Sequence, residues 1–245
     1  MFNFKLSRQT PEEYATRLKE ALAGSLRSVI LFGSAASGEH VKGKSDYNLL
    51  VIVEKWGILE LNQVTKVTQD WLKEGNPPPL LFTPERLQAS ADCFPIEMLD
   101  MKQSYRVVFG EDLLKPVRVQ PIHLRLMTER ELKSLKIQLR QGFIYAGGDI
   151  KKIGELMAKT LSTSLVLFRA ALRLFTDAVP TKKYEVLPAI AGKVKGVEVE
   201  AFMTIRKLKD GELKPSKVNI LNLFERYMNS IIEVSDAVDH AGKNA

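Results

Sequence analysis

The chain is poor in the residues that build covalent and metal frameworks: one cysteine, Cys93, and three histidines, His40, His123 and His240, among 245 residues. A lone thiol can close no internal disulfide and no multi-thiolate metal site, and the scattered histidines form no zinc constellation. A reducing, cytoplasmic setting is the expectation. Long apolar runs are also missing. Stretches such as Leu49–Val53 fall far short of the roughly 20 residues a membrane span needs. The opening MFNFKLSRQTPEEY has no basic segment followed by an apolar one, so neither export nor membrane insertion is expected. Collagen-like, low-complexity and solenoid patterns find no support either. What remains is an ordinary globular composition, 45% hydrophobic and 27% charged with 11 Phe, 6 Tyr and 2 Trp, enough to bury a real core. The length suits one large domain or two of about 100 to 150 residues.

Charge divides the chain near residue 119. Residues 1–119 carry 15 Lys and Arg against 15 Asp and Glu, whereas residues 120–245 carry 21 against 14, so the whole +7 excess lies in the second part. A basic half beside a neutral one suggests an anionic partner or substrate, although a solvated Lys-rich helix face gives the same count. Aromatic residues interleaved with the basic ones, as base stacking requires, are sparse, so nucleic acid is not the favoured partner.

Residues 1–119 alternate between helical and extended patterns. Thr10-Pro11-Glu12-Glu13 reads as a helix start running to about Gly24. Buried strands are expected at Ser28–Phe32 and Asp46–Glu54, a helix at Ile58–Lys73 ending before Gly75-Asn76-Pro77-Pro78-Pro79, a strand at Leu80–Phe82 and a short helix from Pro84. Ile96–Met101 and Tyr105–Phe109 read as further strands of one open mixed sheet. The rest reads as a helical bundle, with helices over Thr128–Gln141, Lys151–Asp177, Lys183–Val194, Val197–Lys209 and Val218–Val238. Leu161, Leu165, Phe168, Leu172 and Phe175 form one core stripe, and Arg169 and Arg173 lie four apart on the same helix. The fold class is α/β (α+β): a small mixed-sheet domain, 1–119, followed by an all-α bundle, 120–245.

The chemistry centres on Leu31–Glu54, LFGSAASGEHVKGKSDYNLLVIVE. Gly38–Ser45 fits the phosphate-loop pattern GxxxxGK[ST], but that loop needs a strand before it and a helix after it, and DYNLLVIVE reads as a strand. The same residues allow another reading. Gly33-Ser34 ends a buried strand at a turn, where backbone amides and the Ser34 hydroxyl can hold phosphate oxygens. Asp46 follows twelve residues later, and side-chain alternation puts Asp46 and Asn48 on one face of the strand and Tyr47 on the other. Two carboxylates there with a third from a neighbouring strand would hold paired Mg²⁺ ions for displacement at a nucleotide α-phosphate.

The Gly33-Ser34 pair, the spacer and Ser45-Asp46-Tyr47-Asn48-Leu49-Leu50-Val51 resemble the signature of the DNA polymerase β-like nucleotidyltransferases, hydrophobic-Gly-Ser followed by Asp-x-Asp/Glu on a strand. The motif spans some 25 residues, and the layout of sheet then helices extends the likeness over most of the chain. The resemblance implies a nucleoside triphosphate bound by Gly33, Ser34 and Ser45, Mg²⁺ held by Asp46, Asn48 and Glu97, and catalysis through Asp46 and Glu97. Glu97 enters because similar adenylyltransferases carry a Glu where a strand begins, as Pro95-Ile96-Glu97 does here; Asp100 is the second choice. It implies AMP transfer from ATP to a hydroxyl of a small molecule or protein, and often a homodimer. One departure stands out: Asn48 occupies the second carboxylate position and offers an oxygen without charge, which weakens Mg²⁺ binding. A nucleotide-binding sensor or interaction protein on the same fold is therefore the alternative, and a phosphate-loop NTPase the third reading.

Overall fold

A computed structural model describes residues 9–36 and 46–241. Its contacts divide the chain into two compact units with the boundary between Val119 and Gln120. In the first, helix α1 (Pro11–Leu22) starts as its sequence dictates: Thr10 Oγ1 accepts the Glu13 amide at 3.2 Å, and the Glu13 carboxylate accepts the Thr10 amide at 2.8 Å. Strands β1 (Leu26–Phe32), β2 (Asn48–Val53), β3 (Leu80–Phe82) and β4 (Tyr105–Gly110) form one sheet in the order β3-β2-β1-β4. The β1 strand is antiparallel to both β2 and β4, while β2 and β3 run parallel. The sheet is therefore mixed.

Alternation sorts the strand residues onto two covered faces. Val29, Leu31, Leu49, Val51 and Val53 meet Tyr14, Leu18, Val64 and Trp71, from α1 and from α2 (Ile58–Lys73). Ile30, Leu50 and Ile52 meet Leu87 of α3 (Pro84–Ala89) and Met98 and Met101 of α4 (Pro95–Gln103). At the β4 end, Gly110 has φ +78 and an added Cβ would lie 2.0 Å from the Arg27 carbonyl oxygen, so no side chain fits there.

The α4 helix corrects the reading of Ile96–Met101 as a strand. Pro95 takes the first helical position and Glu97 lies in the first turn. Met, Leu and Glu favour helix, Ile96 is the one β-branched residue of the segment, and Met98 and Met101, three apart, share the buried face. The apolar run fitted both periods; the proline was the signal that decides.

The second unit holds α5 (Pro121–Ala146), α6 (Ile150–Leu172), α7 (Val186–Ala191), α8 (Val199–Lys209) and α9 (Ile220–Ala241). Helix α5 starts seven residues earlier than its apolar spacing suggested, at Pro121, and α6 ends at Leu172 rather than Asp177. The Gly147-Gly148 turn joins them, followed by Asp149, whose carboxylate caps the Lys151 amide at 2.8 Å. Helix α6 packs against all four others. Its stripe Leu161, Leu165, Phe168 and Leu172 is buried as expected, with Phe175 beyond the helix end. Phe168 packs tilted on Phe202 and Phe202 edge-on to Tyr227, at centroid distances of 5.2 and 5.0 Å. The Tyr227 hydroxyl donates to Thr160 Oγ1 at 3.1 Å and shares a hydrogen bond with Ser164, so this buried phenol is satisfied. No helix among the described residues is long and apolar enough to cross a membrane.

Candidate functional site

The β1–β2 ladder ends on the pair Phe32↔Asn48, and the β1–β4 ladder on Phe32↔Tyr105. One edge of the sheet therefore gathers the turn Gly33–Ala35 that leaves β1, the segment entering β2 and the α4–β4 junction. Asp46 is exposed and lies two residues before β2 begins, not on the strand itself. Asn48 is brought against the turn: an ideal Cβ on Gly33 would sit 3.5 Å from Asn48 Nδ2. Tyr47 packs with the α1–α2 core, on the opposite face from that of Leu50 and Ile52, which Asn48 shares by alternation.

Gly33 is anchored through its own backbone amide. That amide donates to the Ser104 carbonyl at 2.9 Å, which fastens the turn to the end of α4. Its φ of +80 explains why glycine stands there. Ser34 follows within the same turn, while Ser45 and the phosphate-loop pattern Gly38–Ser45 lie outside the described residues. After that pattern comes strand β2, not the helix a phosphate loop requires.

The two α4 carboxylates stand at different depths. Glu97 is exposed in the first turn, whereas Asp100 is half-buried. Measured from Ser104, whose carbonyl meets Gly33, helical rise places Asp100 about 6 Å and Glu97 about 10 Å along the axis. Asp100 is thus the nearer to the edge. The parallel neighbour of β2 contributes no carboxylate, because with Leu50 paired to Leu80 the residues running up to β3 beside Asn48 are Pro77, Pro78 and Pro79. Among the described residues, no group of three or more His, Cys, Asp or Glu side chains could hold a metal ion.

Around the edge, the α4 end is tied down. The Lys102 ammonium donates to the Lys115 and Val117 carbonyls at 2.9 and 2.5 Å, and burial, with Arg118 nearby, lowers its pKa. Tyr105 donates to Asp112 at 2.9 Å; burial first, then this hydrogen bond, raises its pKa.

In the helical unit, spacing gave no hint of one cluster. Ser162 Oγ of α6 accepts from Lys183 at 3.0 Å and from Lys209 of α8 at 2.9 Å, which holds two ammoniums no more than about 6 Å apart. Arg169, whose partner sequence spacing left open, is half-buried and donates to the Thr181 carbonyl at 3.3 Å.

Compared by sequence with curated proteins, the chain matches none. In fold it is similar to the spectinomycin adenyltransferase AAD(9) from Enterococcus faecialis, solved with ATP and spectinomycin, at a TM-score of 0.53 and 13% identity, covering 92% of this chain and 96% of that one. The family model of the nucleotidyltransferase domain matches residues 12–146, which include both ladders, the Gly33 turn and Asp46. That match takes in more than half of the sequence, and on it the chain belongs to the nucleotidyltransferase domain family.

Proposed function

We propose that the protein binds a nucleoside triphosphate at the Gly33–Asp46 edge and transfers its nucleoside monophosphate, AMP from ATP, to a hydroxyl of a small-molecule or protein acceptor. The observation that supports this reading is the shared end of the two ladders, where Asn48 comes up against the turn after β1, with Asp46 two residues ahead of it in the chain, all within the span matched by the family. The adenyltransferase of similar fold, solved with ATP and spectinomycin, supports the choice of ATP and of a small acceptor.

The donor set suits one nucleotide-borne Mg²⁺, which usually takes one or two carboxylates with the rest from phosphates and water. Asp46 would supply the charge and the Asn48 carbonyl oxygen a neutral contact; a second ion would lack its carboxylates among the described residues. When bound, the cation neutralises charge on the phosphates. The chain's own part is positional. The Ser34 hydroxyl meets the phosphates, and the Gly33–Ser104 hydrogen bond keeps the turn from moving. The acceptor oxygen bonds to the α-phosphorus as the bond to pyrophosphate breaks, and its proton passes to an α4 carboxylate, Asp100 by nearness or Glu97.

The test is calorimetric titration with ATP in Mg²⁺. Saturable binding is expected from the native protein and its loss from Asp46→Ala; a flat native titration ends the reading. Release of pyrophosphate with candidate acceptors would then establish transfer. Asn48 and the prolines before β3 favour a second reading, a nucleotide sensor without turnover. If the native protein binds ATP without turnover and Asn48→Asp restores it, the sensor reading holds.

A further inference from the structure

We infer that Asn76 is a positioning residue that orients Asp46, a role that rests on the nucleotide reading above. Helix α2 closes with the Gly75 amide on the Leu72 carbonyl at 3.0 Å and the Asn76 amide on the Trp71 carbonyl at 3.3 Å. With Gly75 at φ +84 this is a Schellman closure, which sets the place of Asn76 independently of β2. Asn76 is 3% exposed, and its Oδ1 accepts the Tyr47 backbone amide at 3.2 Å.

The Asp46 carbonyl and the Tyr47 N–H belong to one peptide plane, which cannot twist without a large cost. A hydrogen bond to that N–H therefore sets the direction of the plane and with it the Asp46 Cα. The ladder cannot do this, since its last pair is Phe32↔Asn48. A second grip comes from the ring of Tyr47, stacked on Trp71 at 5.8 Å and 29°. Trp71 is itself fully buried and fixed by its indole N–H on the Pro77 carbonyl at 3.0 Å. The exit of α2 thus holds the residue after Asp46 by both backbone and ring.

Amide hydrogen exchange and Mg²⁺–ATP titration on the full chain test the assignment together. In Asn76→Ala the Tyr47 amide should exchange at least tenfold faster while the Leu50 and Ile52 amides keep their rates, and ATP affinity should fall about tenfold. In an Asp46→Asn background the same substitution should change affinity less than twofold, because Asn76 acts through Asp46. Asn76→Asp, which keeps an acceptor, should restore Tyr47 protection. Unchanged Tyr47 exchange in Asn76→Ala, or an equal affinity loss in both backgrounds, overturns the role. If the unsubstituted protein binds no ATP, the nucleotide reading falls, and exchange alone decides whether Asn76 holds this peptide. Should Asn76→Ala not fold, Asn76→Ser, whose hydroxyl stops short of Tyr47, takes its place with the same expectations.

Discussion

The two units bring their polar groups together by different means. In the sheet unit, strand pairing carries Gly33, Asn48 and the α4 end to one edge, and each arrives because a ladder stops there. In the helical unit, Ser162, Lys183 and Lys209 meet across elements related only by packing. A ladder has a register that can be counted along the chain, whereas the rotation of one helix on another depends on every side chain between them. The comparison teaches which kind of site a sequence can announce.

The cores offer the sharpest way to break that contrast. Trp71→Ala in the sheet unit and Phe168→Ala in the bundle should each cost about 3–5 kcal/mol, as both rings are fully buried. Urea unfolding followed by circular dichroism checks the size. Two transitions, each moved by one substitution alone, would show units that fold separately; one transition moved by both would show that they fold together.

Alkaline stability comes next in size. Burial pushes the phenols of Tyr14 and Tyr227 up to about 12, one in each unit. The unfolded chain loses these protons near pH 10, so the stability they contribute is complete below that pH and declines as pH rises from about 10 to 12. The loss is on the order of 3 kcal/mol per phenol. Tyr14→Phe and Tyr227→Phe should each flatten the unfolding free energy measured over that range, and a profile unmoved by both would show that other groups govern it.

Capping gives the smallest effect. Thr10→Ala on α1 and Asp149→Ala on α6 each remove a side chain that accepts first-turn amides, at about 1 kcal/mol apiece by chemical denaturation. Near-equal losses would show that local helix starts behave alike in both units, whatever assembles the sites.

How far the sequence could be read follows the same division. The mixed sheet was legible because the alternation in β1 and β2 leaves one register that buries both faces. The α1 start was legible from Thr10-Pro11 and Glu13, a local motif. Helix α4 was missed because Ile96–Met101 satisfies both periods, and Glu97 moved with it from a strand to an exposed helical turn. The use of the Gly33 amide by Ser104 could not be foreseen, since the two lie 71 residues apart and no spacing rule links them. Asn76 was visible only as part of a turn before prolines, although its carbonyl oxygen reaches the neighbour of Asp46.

Those prolines have an effect beyond the site. The β3 strand is three residues long, lies at the margin of the sheet and leaves Leu80 43% exposed, an inviting template for strands of other molecules. Pro77, Pro78 and Pro79 have no N–H to offer an incoming chain. The same three residues that withhold a carboxylate from Asn48 thereby keep the strand-pairing margin from extending beyond the three residues of β3.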